Sequence, residues 1–324
     1  MTAGFSRFLV VLVLLVGAFL GQVSAQPYPS KPIRFVVGYA AGGGTDTMAR
    51  AVAAELPDLL KQQVIVENRP GANANIAAEY VSRQAADGYS VLFISVSHAM
   101  SKSVYRKLGY DIERDFVPLT MVSEVPNLLA VHPSLPVKTV KDLIRIAKAK
   151  PGEITYGVAG VGSPGHFAGE MLNMAVNIKM LAVPYRGGGP LAIDLMAGHV
   201  MATFNAAPPL IPLARSGRIR AIAVSTNKRV KALPDVPTVA ESGVKGYAVS
   251  TWYGCVVRTG TPKEIVALLN NAVLKVIAMP EVGQKLGNLG AEILGGTVEA
   301  SELFLKSEVA KYAKVAKAAD IRVD

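Results

Sequence analysis

The sequence predicts an α/β fold, and three observations carry that prediction. β-branched, strand-like runs alternate with segments of helical period along most of the chain. Two strand, glycine-turn, helix units stand far apart, IRFVVGYAAGGGTD (Ile33–Asp46) and ITYGVAGVGSPGHFAGEM (Ile154–Met171). The 324 residues, 51% hydrophobic and 18% charged, suffice for one large or two medium globular domains with ample core.

Ahead of these elements stands a segment with the marks of an export signal. Arg7 supplies the positive start, Phe8–Leu20 the apolar core, and Val23-Ser24-Ala25 a small-x-small cleavage site before Gln26. The apolar core is short for a membrane span, and Gly17 and Gly21 weaken it further. A retained anchor is the alternative. No cysteine follows the apolar core, which argues against a lipid anchor. Residues 1–25 are therefore expected to be a signal peptide, leaving a soluble exported chain.

Candidate strands follow in order: Ile33–Val37, Val64–Glu67, Ser90–Ile94, Val117–Val122, Leu128–Val131, Ile154–Gly157, Met180–Val183, Val200–Phe204, Ile219–Val224 and Ser250–Val257. Met48, Val52, Glu55 and Leu59 repeat at helical spacing, with Pro57 expected to end or kink that helix. Thr139-Val140-Lys141-Asp142 has capping-box spacing ahead of Leu143, Ile144 and Ala147. Thr261-Pro262-Lys263-Glu264 predicts a helix start with Thr261 as cap, running through Ala278. A last helix, from about Thr297 to Ala319, places Leu305, Val309, Tyr312 and Ala316 on one face.

The first glycine turn, Gly42-Gly43-Gly44-Thr45-Asp46, lies between a strand and a helix start. Exposed backbone N–H groups at the positive end of a helix bind anions. The turn lacks the Lys-Ser/Thr ending of a nucleotide-binding P-loop, so ATP chemistry has no machinery here. Three glycines exceed the needs of one tight turn, which favours a ligand cradle.

The second turn, Gly160-Val161-Gly162-Ser163-Pro164-Gly165, formally matches G-x-G-x-x-G. No acid closes the next strand to hold a ribose, and Val161 stands where a nucleophile elbow needs glycine. Ser163 and His166 read either as donors to a ligand or as a helix cap and its neighbour. Two such turns suggest two lobes offering helix starts to one cleft, or two ordinary turns of one sheet. A third cluster, Tyr185-Arg186-Gly187-Gly188-Gly189-Pro190, offers Arg186 as a carboxylate partner or as a solvent-facing side chain.

The remaining chemistry is sparse. His98, His132, His166 and His199 show no metal-binding spacing, and no metal or cofactor is expected. The single cysteine, Cys255, sits in an apolar run beside Trp252 and Tyr253 and reads as a buried, inert thiol. The formal net charge of +10 is dispersed, its densest patch, Asn227–Lys231, reading as a solvated loop. The charge reads as solubility or as long-range attraction of anionic solutes, and the export signal argues against nucleic acid.

With these segments in view, the chain resembles the tripartite tricarboxylate transporter receptors, the Bug-type extracytoplasmic solute-binding proteins. The likeness is carried by YPSKPIRFVVGYAAGGGTD (Tyr28–Asp46), VIVENRPGANANIAAEYV (Val64–Val81), DGYSVLF (Asp87–Phe93) and ITYGVAGVGSPGHFAGE (Ile154–Glu170). It continues through VPYRGGGPLAIDLMAGHV (Val183–Val200), LPDVPTVAESGVKGY (Leu233–Tyr247) and WYGCVVRTGTPKEIV (Trp252–Val266).

The resemblance implies a two-lobed type II periplasmic-binding-protein fold with a ligand cleft between lobes. Lobe 1 would be residues 26–125 and 250–324, and lobe 2 residues 126–249. The resemblance also implies a ligand carboxylate held by backbone amides and water. Carried over by position, the ligand-binding residues would be Tyr39, Ala40, Gly43, Thr45 and Asp46 in the first turn, and Ser97 and His98 at the third strand end. Gly160, Ser163 and His166 would follow in the second turn, with Phe204 and Asn205 at a later strand end.

Two departures stand out. Gly38-Tyr39 replaces the family's usual Pro-Phe, and Asn205 stands where members often carry aspartate, which favours a plain carboxylate over an amino acid. The expected role is a periplasmic, non-enzymatic, monomeric receptor that hands a small carboxylate to the large and small membrane subunits of a tripartite transporter. The alternatives are a sensing receptor without transport and an exported Ser163/His166 hydrolase.

Overall fold

The computed structural model describes residues 27–42, 44–185 and 187–323. The expected signal peptide, Gly43 and Arg186 lie outside the described residues. Ten strands form one curled sheet: β1 (Ile33–Val37), β2 (Val64–Asn68), β3 (Ser90–Ser95), β4 (Phe116–Val131), β5 (Thr155–Val158), β6 (Leu181–Pro184), β7 (Ala202–Ala206), β8 (Arg220–Val224), β9 (Ser250–Arg258) and β10 (Glu292–Ile293). Their order is β2-β1-β3-β9-β4-β7-β5-β6, with β8 and β10 also on β4. The helices are α1 (Gly44–Ala53), α2 (Leu56–Leu60), α3 (Asn75–Ser82), α4 (Val96–Val104), α5 (Val140–Ala149), α6 (Pro164–Val176), α7 (Gly188–Ala197), α8 (Ala207–Arg215), α9 (Lys263–Ile277), α10 (Pro280–Asn288) and α11 (Val298–Ala318).

The predicted strands recur within one or two residues, except at β4. Val117–Val122 and Leu128–Val131 are parts of a single 16-residue strand. Ser123 and Glu124 interrupt the apolar run, but the ladder resumes at Ser123 after a register shift from Met121, and Pro126 falls where β9 stops pairing, at Pro126↔Ser250. A proline at the limit of a ladder removes no needed donor. β10, two exposed residues, has too little pattern to read from sequence.

Helix boundaries show where local chemistry decided. Pro57 enters the first turn of a separate short helix, so the expected kink is a break between α1 and α2. Thr139 caps α5 by accepting from the Asp142 N–H, and Thr297 caps α11 by accepting from the Ala300 N–H. Thr261 does not cap α9: its hydroxyl donates to the Arg258 carbonyl at 2.7 Å, and Pro262 takes the boundary position.

Each half of the sheet is covered on both faces. On one side of the first half, Phe35, Phe93 and Cys255 pack with α1, α9 and α10. On the other side, Leu92, Trp252 and Val256 pack with α4 and α11. In the second half, Leu129, Tyr156 and Phe204 meet α5 and α6, while Leu128 and Ala130 meet α7 and α8. The Cys255 thiol is fully buried, and that burial raises its pKa far above the ordinary thiol value.

β4 joins the halves. It pairs with β9 through Pro126 and with β7 from Asn127 onward, both antiparallel. β3 is antiparallel to β9 and parallel to β1, so β1 and β3 run with β4. β5, β6 and β7 are mutually parallel and run against it. The carboxyl ends of the two parallel sets therefore point at each other across the junction. Ser95, at the end of β3, is level with Ser123 through Tyr253, and Ala206, at the end of β7, is level with Asn127. Four residues of strand separate the two rims, about 13 Å at 3.3 Å per residue.

Candidate functional site

Carboxyl ends of parallel strands, each feeding a helix, are where α/β folds bind ligands. Here two such rims face one gap, so the molecule has two lobes with a cleft between them. The crossings on its floor are tied together at one serine. The Asn127 N–H donates to the Ser225 hydroxyl at 2.8 Å, the Ser225 N–H to the Asn127 carbonyl at 2.9 Å, and the Val249 N–H to the Ser225 carbonyl at 2.8 Å.

On the first rim, β1 ends at Val37 and α1 begins at Gly44. Asp46, in the first turn of α1, reaches back to accept from the Gly42 N–H at 2.8 Å. It also accepts from Arg50 Nε at 2.9 Å and from the Asn68 amide at 2.8 Å. Burial would raise its pKa, but the guanidinium, the backbone N–H and the amide together hold it below the usual carboxylate value. The Asp46 side chain is 2% exposed, so its charge is spent on shaping the turn. Ala40 is exposed, and Thr45 is buried with its hydroxyl on the Tyr253 phenol.

Tyr39 joins this turn to the β3 end. Its hydroxyl donates to Ser97 Oγ at 2.8 Å and lies 3.4 Å from both Ser95 Oγ and Asn73 Oδ1. Burial raises the phenol's pKa against the pull of Ser95 and Ser97, so it stays a neutral donor. His98 is fully buried, and its Nδ1 lies 3.1 Å from the Ser95 N–H. Burial pushes its pKa down to about 4, against the opposite pull of the Ser95 and Ala74 backbone. A neutral His98 strapped to Ser95 fixes the strand-to-helix elbow that presents Ser97.

On the second rim, β5 leads through Gly160 into α6. Ser163 caps that helix, accepting from the His166 N–H at 3.4 Å, and His166 Nδ1 accepts from the Gly162 N–H at 3.1 Å. The capping reading of Ser163 is the one the geometry shows. Phe204 is core, edge-on to Tyr156 at 6.3 Å. Its carbonyl packs so close to α6 that a Cβ on Gly165 would come within 2.0 Å of it. Asn205 is nearly buried; its Oδ1 accepts from the Ala206 N–H at 3.0 Å, and its Nδ2 has no partner among the described residues.

The structure thus gathers Tyr39, Ala40, Thr45, Asp46, Ser97 and His98 on one rim, and Gly160, Ser163, His166 and Asn205 on the other. Phe204 supports its rim from within the core. Three contributors were missed from sequence: Asn68, whose amide also donates to the Tyr39 carbonyl at 2.9 Å; Tyr253; and Asn73. Asn68 sits inside the quoted E-N-R-P-G element, and a polar residue closing a strand that feeds a rim was its available signal. A separate groove of about 530 Å³ lies between α6 and residues 318–322, walled by His166 and Glu170. It shares Val161 and His166 with the second turn, and His166 is the one predicted site residue on its wall.

Comparison with known proteins agrees with this architecture. Residues 48–321 match the family described as Tripartite tricarboxylate transporter family receptor. Protein BugT of Bordetella pertussis is 33% identical over 314 residues, covering 94% of this chain and 96% of BugT. Among solved structures, R. palustris Rpa4515 with adipate is 40% identical with a TM-score of 0.85, covering 91% of this chain and 99% of that one. MatC (Rpa3494) from Rhodopseudomonas palustris with bound malate is 29% identical with a TM-score of 0.80, covering 89% and 99%. The fold is that of the two-lobed type II periplasmic solute-binding proteins. Fold, facing rims and sequence together place this chain in the tripartite tricarboxylate transporter receptor family.

Proposed function

We propose that this protein is a periplasmic receptor that captures a small organic carboxylate between its lobes and delivers it to the membrane subunits of a tripartite transporter. The observation that carries the reading is the facing pair of rims, each opening helix N-termini onto one gap about 13 Å across. Adipate and malate, bound in the two R. palustris neighbours, are small dicarboxylates of a size to lie between two such rims. The lobes are taken as residues 26–125 with 250–324, and 126–249, after removal of a signal peptide over residues 1–25.

In this reading Tyr39, Ala40, Gly43, Thr45 and Ser97 form the first half of the site, with Asp46 and His98 acting as positioning residues. Gly160, Ser163, His166 and Asn205 form the second half, backed by Phe204. A ligand touching both lobes binds the closed form better and so shifts the equilibrium toward closure. The Ser163 hydroxyl faces a main-chain N–H and not the His166 ring, which supports binding over hydrolysis.

The test is a thermal-shift screen of the chain from Gln26 against mono-, di- and tricarboxylates, aromatic acids and amino acids. A ligand at a hundredfold excess over its Kd stabilises by about 2.7 kcal/mol. A selective carboxylate hit is expected. A flat profile on protein shown by native mass spectrometry to be empty would overturn the reading.

A further inference from the structure

Between β2 and α3 the backbone does something unusual. Gly71, Ala72, Asn73 and Ala74 have φ values of 133°, 45°, 54° and 74°, so three successive residues with side chains lie in the left-handed region. Each such residue is strained, alanine more than asparagine, and strain of this kind persists only where surrounding contacts enforce it.

The enforcing contacts are visible. Ala74 is pressed on the first turn, where a Cβ on Gly38 would lie 2.2 Å from the Ala74 Cβ. One residue on, the buried Asn75 Oδ1 accepts from the Tyr110 hydroxyl at 2.6 Å. What the distortion achieves is the placement of Asn73. Its Oδ1 faces the Tyr39 hydroxyl at 3.4 Å, and its Nδ2 reaches the Gly162 carbonyl on the opposite rim at 3.5 Å. Gly162 in turn gives its N–H to His166. A polar path therefore runs from Ser97 through Tyr39, Asn73 and Gly162 to His166, and Asn73 is its step across the cleft.

We infer that Asn73 is a cross-cleft latch, a positioning residue that holds the two glycine turns together and sets the balance between open and closed lobes. The strained turn is what aims it. The latch rests on the reading of the protein as a two-lobed ligand receptor, but its action is measurable with no ligand present.

The experiment places spin labels at the exposed positions Ile193→Cys and Leu303→Cys, one on each lobe, in the chain from Gln26. Cys255 is buried and does not compete for the label. Distances are then measured in the ligand-free protein. Asn73→Asp keeps a left-handed backbone and an acceptor for Tyr39, but sets a carboxylate against the Gly162 carbonyl. Asn73→Gly relieves the strain and removes both contacts. Both should lower the short-distance population about threefold, the weight of one modest hydrogen bond. Ala72→Gly, which relieves strain and leaves Asn73 in place, should keep that population. Unchanged distances in both Asn73 variants would overturn the latch, as would an equal shift in Ala72→Gly. Adipate serves as a separate probe: distances that shift with Asn73 while adipate changes nothing support the latch and count against carboxylate capture.

Discussion

The Asn68 amide donates to the Asp46 carboxylate at 2.8 Å, tying the end of β2 to the first turn of α1. The same nitrogen reaches the Tyr39 carbonyl, so one side chain holds both sides of the glycine turn. Asp46 completes the tie by accepting from Gly42 and Arg50. The buried carboxylate is thus stabilising only while all three donors remain.

Replacing Asp46 by asparagine turns an acceptor into a group that presents N–H to the same donors. Hydrogen bonds to a charged group contribute about 1.5–3 kcal/mol each, and they are not additive. Asp46→Asn should therefore destabilise the fold by about 2–3 kcal/mol, with Asn68→Ala costing somewhat less. Urea unfolding of both variants gives the comparison; wild-type midpoints in both would show that the turn holds itself.

Acid should weaken the fold through His98. Its pKa is about 4 in the folded state against 6.5 when free, so the unfolded chain takes up the proton first. Stability is then full above pH 6.5, falls as pH drops toward 4, and levels off below. The loss is on the order of 3 kcal/mol, at 1.36 kcal/mol per pH unit. His166, also lowered by burial, adds to the same window, so the informative quantity is the difference between wild type and His98→Gln. A difference that is flat from pH 6.5 to 4 would show that His98 is already charged in the fold.

The strand and helix pattern was legible because β-branched runs and capping residues act locally. Thr139-Val140-Lys141-Asp142 became the capping box its spacing announced. Thr261 failed because its hydroxyl found the Arg258 carbonyl in the preceding turn, a competition that spacing does not encode. The site was legible as turns but not as contacts. Asp46 and His98 lie at the strand ends, yet whether such groups face a ligand or their own backbone depends on neighbours distant in sequence, such as Asn68, 22 residues away. Asn73 was invisible for the same reason, since left-handed geometry at an alanine-rich stretch is imposed by packing on Gly38.

Gly165→Ala tests how α6 is seated on its rim. The added methyl would meet the Phe204 carbonyl carbon at 3.0 Å and its oxygen at 2.0 Å, and backbone cannot swing aside as a side chain can. Overpacking usually costs about 1–3 kcal/mol and more where nothing yields. A loss of at least 3 kcal/mol is expected by urea unfolding. An alanine variant of wild-type stability would place α6 further from β7 than described.

Ser163→Ala separates a cap from a nucleophile. As a cap, the hydroxyl accepts one long bond from the His166 N–H, and its loss should cost about 1 kcal/mol, with Ser163→Asn restoring most of it because asparagine caps as well as serine. As a nucleophile, it would need the His166 ring, which instead accepts from Gly162. Turnover of a chromogenic acetate ester should therefore be at buffer background in wild type and unchanged in both variants. Turnover above background that disappears in Ser163→Ala and is not restored by Ser163→Asn would make this turn an active site and displace the receptor reading.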